Sequence, residues 1–434
     1  MNKVLLLLFV FLLFINNCSS NKEEEIKLVE KKTNLKKIDK IKTVLSKQIR
    51  DEQEFNTNLE IQVSEKKFGT KSDNNKNDIG ELGYKGFLEI VGKYNYKSFD
   101  NFDYVETKPI FYNENLIFFD NKGTIIYYDQ NQKIIWKKNF YNKSEKKSKP
   151  RLNFAIQKNT LIVTDSVAKY YAIDLETGEL IWTKNNNVPF NSDVKIHDGN
   201  FYVVDYKNTL RSISIKDGSD IWKLRTEESL TKSNKKLSIT LDDENIYFNN
   251  SIGDITAINT ISGQLLWQLP TQKSNINKNA FQLSSSKLVI NENSILFSNN
   301  KGEFYSIDKK IGLVNWKNQI NSILKPIVIG KFLITISNSG YLYLIDKNTG
   351  NIIRINDLYK NYDSKKRIKI LPTGFIVAAN KLYITNNNGK LIIADLNTGK
   401  ILDIIKITGN KISQPHVYEN NLFLIKNGSI IKYN

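Results

Sequence analysis

The sequence predicts an all-β fold, an eight-bladed β-propeller of four-stranded blades closed by an N-terminal strand. Three observations predict it. One repeat recurs through most of the 434 residues, with all five tryptophans at a single position in it, 46, 40, 45 and 49 residues apart. Such periods belong to propellers and other repeat arrays. Within each copy, short β-branched and aromatic runs alternate with Asn-Gly, Asp-Gly, Ser-Gly or Thr-Gly pairs, as strands alternate with turns. The last copy stops one strand short at the C-terminus, and a spare strand stands ahead of the first.

The repeat is clearest in YYAIDLETGELIW, where Asp174, Thr177 and Gly178 make a tight turn and Trp182 follows. Glycine supplies a positive φ without steric cost, and the Asp side chain caps the turn. Full copies end at Trp136, Trp182, Trp222, Trp267 and Trp316; two more put Arg354 and Asp403 in that place. A short strand upstream, such as SDVKIH or KLSITLD, brings each copy to four strands. The incomplete copy NLFLIKNGSIIKYN leaves a sheet edge open, and GFLEIVGKYNY at 86–96, or the stretch just after it, can close it. An indole buries on the order of 200 Å² and carries one N–H donor. One per blade reads as a seal between blades. An aromatic ligand cage would need the rings to converge, and a ring of blades spreads them.

The chain begins MNKVLLLLFVFLLFINNCSS. Val4 to Ile15 is an apolar run of 12 residues, short of the ~20 that span a bilayer as a helix. It fits the centre of a signal peptide over 1–17. Cys18, the one cysteine in the chain, follows. The stretch resembles a bacterial lipoprotein signal, which implies a lipid on Cys18 and, with Ser19 next, the outer membrane. A plain cleaved signal peptide is the alternative. From Cys18 to residue 85 the chain is polar, rich in Lys, Glu and Asn, and reads as a flexible charged tether ahead of a propeller over 86–434.

Composition narrows the chemistry. One cysteine excludes an intrachain disulfide and a cysteine metal cage, and the two histidines, His197 and His416, supply zinc sites or histidine catalysis thinly. The net charge of +18 is carried by scattered lysines among equally abundant Asn and Ile, which reads as compositional bias and not as a nucleic-acid surface. We find no phosphate loop, His-x-x-x-His pair or nucleophile elbow, and assign no catalytic residue, metal or cofactor.

The pattern Ala172, Asp174, Thr177, Gly178, Trp182 resembles the repeat of the pyrroloquinoline-quinone-type propellers, over residues 100–434. Two groups share that repeat, the quinoprotein dehydrogenases and the propeller lipoproteins of the outer-membrane β-barrel assembly machinery. The first implies a quinone held against a disulfide of adjacent cysteines, with a calcium ion. The second implies a signal, a lipidated cysteine, a tether and a bare eight-blade ring, and that order is present here. It further implies a non-enzymatic scaffold on the periplasmic face of the outer membrane. Such a scaffold docks to a periplasmic domain of BamA and assists unfolded outer-membrane protein substrates. A Leu-Arg-Gly-Glu-Ser segment between the third and fourth blades is implied in that docking. After Trp222 and Lys223 this chain reads Leu224, Arg225, Thr226, Glu227, Glu228, Ser229, with Thr in place of Gly and one extra Glu. The resemblance makes Leu224, Arg225, Glu227 and Ser229 candidate partner-binding residues; read without it, Leu224 and Arg225 are an ordinary strand end. The next connection, acidic in that group, reads AFQLSSS at 280–286.

Overall fold

The computed structural model describes residues 53–54, 59–61, 84, 86–227, 235–271 and 283–434. Eight antiparallel sheets follow one another along the chain. Seven blades are built from 110–138, 152–185, 195–225, 239–269, 289–318, 327–357 and 372–406. The eighth combines three C-terminal strands from 416–433 with Ile90–Asn95. That early strand pairs with the last one, from Ile90 opposite Tyr433 to Asn95 opposite Ser429. Leu88 and Asn434 extend the pairing, each donating its backbone N–H across to the other chain end at 3.1 Å. The ring is thus closed by its N-terminal strand.

Each of the first seven blades places its strands in sequence order from the axis to the rim, and the eighth takes its rim strand from Ile90–Asn95. First strands of neighbouring blades approach one another. Second and third strands, such as Asn115–Phe119 and Ile125–Tyr128, are buried almost throughout. Both of their faces meet other blades, so they read as continuous apolar runs rather than alternating ones. Fourth strands of the first four blades, such as Ile134–Lys138, are largely exposed. The apolar core is divided among the seams. One cluster joins Tyr202 and Leu210 of the third blade to Ile246 and Phe248 of the fourth; the next joins Tyr247 to Phe297 of the fifth.

Each tryptophan crosses one seam. The indole N–H of Trp136, Trp182, Trp222, Trp267 and Trp316 donates to the carbonyl of Leu175, Ile215, Thr260, Lys309 and Lys347, at 2.8 to 3.1 Å. All five acceptors sit in the last turn of the following blade. The glycine of that turn lies under the ring. At Gly178 a Cβ would stand 2.9 Å from Trp136, and Gly178 holds φ +68°. The conformation and the close approach both call for glycine. Arg354 keeps the pattern with another side chain: it is buried, and its guanidinium donates to Leu396 O at 2.9 Å. Asp403 is exposed. The eighth blade offers it no turn, because its last two strands, Ser429–Tyr433 and Ile90–Asn95, are not joined to each other along the chain.

Three pieces of the segment expected to be a tether have defined places on the propeller. Gln53–Glu54 adds a fifth strand to the rim of the sixth blade, with Glu54 opposite Arg354. Ile61 is buried in the core between the sixth and seventh blades, and its N–H donates to Asn397 Oδ1 at 2.8 Å. Tyr84 is buried between the seventh and eighth blades, edge-on to Tyr383. These two seams are the ones where Arg354 and Asp403 replace tryptophan. Isolated apolar side chains in a polar segment find cover in the seams that lack an indole.

Candidate functional site

The candidate docking residues begin on the rim strand of the third blade, Asp220–Arg225, where Leu224 pairs with Leu210 and Arg225 with Thr209. Side chains alternate along a strand. Leu224 therefore turns inward, half-buried against the core of the third and fourth blades, while Arg225 is exposed. Glu227 is exposed as well. Ser229 lies outside the described residues, as does Cys18.

The chain leaving this strand is held by Asn208, a residue that the sequence reading did not single out. Thr226 N donates to Asn208 O at 3.2 Å. The buried Asn208 side chain donates to Glu227 O at 2.6 Å and to Ser251 Oγ at 2.8 Å, and accepts from Ser251 N at 3.1 Å. One amide thus ties the start of the connection to the fourth blade. Asn208 has φ +56° in the turn position held by Gly123, Gly253, Gly302, Gly340 and Gly389 elsewhere. An Asn where most other copies have Gly was the available signal.

Across the seam, burial pushes the Asp254 carboxyl above its ordinary value. Hydrogen bonds from Gln268 and Asn250 pull it back, and the Glu227 carboxylate pushes it up again. The connection therefore presents a guanidinium and a carboxylate two positions apart on a backbone fixed at its root. A fork of donors of this kind suits a carboxylate or backbone carbonyls on a partner. Of the stretch 280–286, Leu283, Ser285 and Ser286 are buried, and Ser285 Oγ accepts from Asn249 Nδ2 at 3.1 Å. The five tryptophans stand at five different seams and are not brought together. Among the described residues, no three His, Cys, Asp or Glu side chains gather as a metal would need.

A family model described as outer membrane protein assembly factor BamB matches residues 121–356, more than half of the chain. Outer membrane protein assembly factor BamB of Legionella pneumophila (strain Paris) is 24% identical over 212 residues, covering 44% of this chain and 51% of that protein. The protein of the same name from Shewanella oneidensis is 21% identical over 209 residues, covering 45% and 50%. The chain thus spans about half the length of these relatives. The crystal structure of BamB from Moraxella catarrhalis superposes with a TM-score of 0.66 at 16% identity, over 80% of this chain and 99% of that one. Quinohemoprotein alcohol dehydrogenase from Comamonas testosteroni gives 0.56 at 13% identity, over 80% and 76%. At such identities the structural likenesses show the fold alone.

Proposed function

The chain belongs to the family of outer membrane protein assembly factor BamB, and from this premise we propose that it is a non-enzymatic scaffold of outer-membrane protein assembly. In this reading a lipid on Cys18 holds it to the periplasmic face of the outer membrane. The propeller docks to the periplasmic domain of BamA and assists the insertion of outer-membrane proteins. The observation that carries the docking assignment is the root of the connection after the third blade, where Asn208 fixes the backbone that holds Arg225 outward. An arginine held in place loses less entropy on binding than one on a free loop.

The test is co-purification from native membranes. Arg225→Glu leaves the core untouched and should abolish recovery of BamA. Leu224→Ala opens part of the seam, so its effect is read beside a thermal melt. Recovery of BamA at wild-type levels with Arg225→Glu would remove this loop from the docking surface. The anchor is tested separately: Cys18→Ser should move the protein from the membrane to the soluble fraction, and mass spectrometry of the mature N-terminus should find acyl chains on Cys18. Several acyl chains at ~0.8 kcal/mol per buried CH₂ make such an anchor stable.

A further inference from the structure

The segments that lead into the first strands converge over the axis of the ring. Lys235, ahead of the fourth blade, donates through Nζ to Ile323 O ahead of the sixth at 3.0 Å. The same Nζ stands 4.0 Å from the Glu106 carboxylate ahead of the first blade. A side chain that reaches blades on both sides of the ring lies across its axis. Lys236 of the fourth blade and Lys287 of the fifth approach the Asp193 carboxylate of the third, at 3.8 and 2.9 Å. Lys108 of the first blade acts on Asp193, and Lys411 of the eighth acts on Lys235. Five ammonium groups therefore surround the Glu106 and Asp193 carboxylates, with Asp103 beside Lys411, so positive charge stays in excess.

These groups are sheltered. The side chains of Lys235, Lys236 and Lys287 are 16 to 24% exposed. Burial opposes ionisation of Asp193, yet Lys287, Lys236 and Lys108 together hold its carboxyl well below the ordinary range. Burial lowers Lys235 and Lys236, Glu106 and Asp193 raise them, and the neighbouring lysines lower them again. Both carboxylates are thus ionised and already engaged, and the surplus cations repel one another. A cleft of about 30 Å³ lined by Glu106, Arg151 and Lys236 opens beside them. It has room for one or two waters, which a compact oxyanion would displace.

We propose that this lysine cluster over the axis binds a compact phosphate-type anion. Lysines converging as point charges suit a multi-oxygen group of high charge density, whereas planar bidentate recognition would call for arginine. The same phosphate chemistry can arrive free in solution or on a lipid headgroup, and the test separates the two sources.

The test is calorimetric titration of the full chain with inorganic pyrophosphate at low salt. Saturable binding that weakens as salt is raised is expected. Lys236→Gln with Lys287→Gln should weaken it about tenfold or more, through loss of two charge-assisted contacts. Asp193→Asn removes an internal competitor and should tighten binding; Glu106→Gln should do the same, and serves if Asp193→Asn fails to fold. In the Cys18→Ser background, flotation with phosphatidylglycerol against phosphatidylcholine vesicles tests the headgroup. Lysine-dependent flotation without pyrophosphate binding assigns the site to a lipid phosphate. No saturable binding of either probe, or equal binding by the double lysine variant, overturns the proposal.

Discussion

Gly92 on the rim strand of the eighth blade and Gln132 in the last turn of the first exchange the roles that tryptophan and glycine hold at the other seams. A Cβ on Gly92 would stand 2.8 Å from the Gln132 side-chain nitrogen, and Gln132 takes the positive φ, +64°, that glycine takes elsewhere. Here the turn supplies the bulk and the strand supplies the gap. Gly92→Trp alone should destabilise the fold by ~1–3 kcal/mol through overpacking. Adding Gln132→Gly should restore much of that loss by rebuilding the usual seam. Urea melts of the four chains form a double-mutant cycle, and strict additivity would contradict the exchange.

The five tryptophans should not count equally. Trp136 and Trp316 are buried, while Trp182, Trp222 and Trp267 are half-buried. Trp316→Ala should cost ~3–5 kcal/mol, and Trp316→Phe less, since it chiefly forfeits the N–H bond to Lys347 O. The half-buried three should each lose less on truncation. Gly350→Ala should also destabilise, because its φ is +75° and the added carbon would meet the Trp316 ring at 2.5 Å. Thermal melts that rank all five alike would contradict this account.

Asp165 gives the fold a pH dependence. Its buried carboxylate accepts from the Tyr141 hydroxyl and from the backbone N–H of Val167 and Lys169. Burial pushes the carboxyl up to about 6 from an ordinary 3.8, and these hydrogen bonds only partly offset it. A folded value above the unfolded one means that the folded chain keeps its proton to higher pH. The contribution is complete below the unfolded value and is lost as pH rises through about 6. A shift of that size corresponds to about 3 kcal/mol. Asp165→Asn should flatten this slope without loss of fold. In the seventh blade Asn386 already accepts from the Tyr359 hydroxyl in the same way. Urea midpoints compared at about pH 4.5 and pH 7 decide it; a variant as pH-dependent as the parent in that window would refute the assignment.

The N-terminal pieces can be ranked by truncation. Removing residues 1–83 takes away the added rim strand and Ile61, and should lower the melting midpoint by a few degrees. Removing residues 1–96 also takes Tyr84 and the strand that completes the eighth blade. That chain should lose cooperative melting and aggregate through its open edge. Equal stability of the two truncations would contradict closure by Ile90–Asn95.

The blades were legible because most copies repeat the same turn glycine and five repeat the same indole, so one physical requirement is written many times. The closing strand was legible as a missing one. The returns of Ile61 and Tyr84 were not, since a lone apolar residue in a charged segment carries no period. Yet the two departures from tryptophan, Arg354 and Asp403, mark the seams that these residues fill. The candidate docking loop was legible only through resemblance. Its root, Asn208, is marked in the sequence only as an Asn at a turn position that most copies give to glycine, and that mark does not announce its hydrogen bonds to Glu227 and Ser251. The lysines on the axis sit far apart along the chain and meet only because every blade begins at the same place.

Closure through Ile90–Asn95 also sets when the protein can fold. The strand that completes the ring precedes the seven other blades in the chain, and its partner follows them. Until Tyr433 emerges, the growing chain is an open arc, with its early strand waiting unpaired. Blades can form one after another, but the locked ring is reached only by a contact between its own first and last strands. A chain cut before Ser429 would forfeit the closure of the whole circle, not a seventh or an eighth of it.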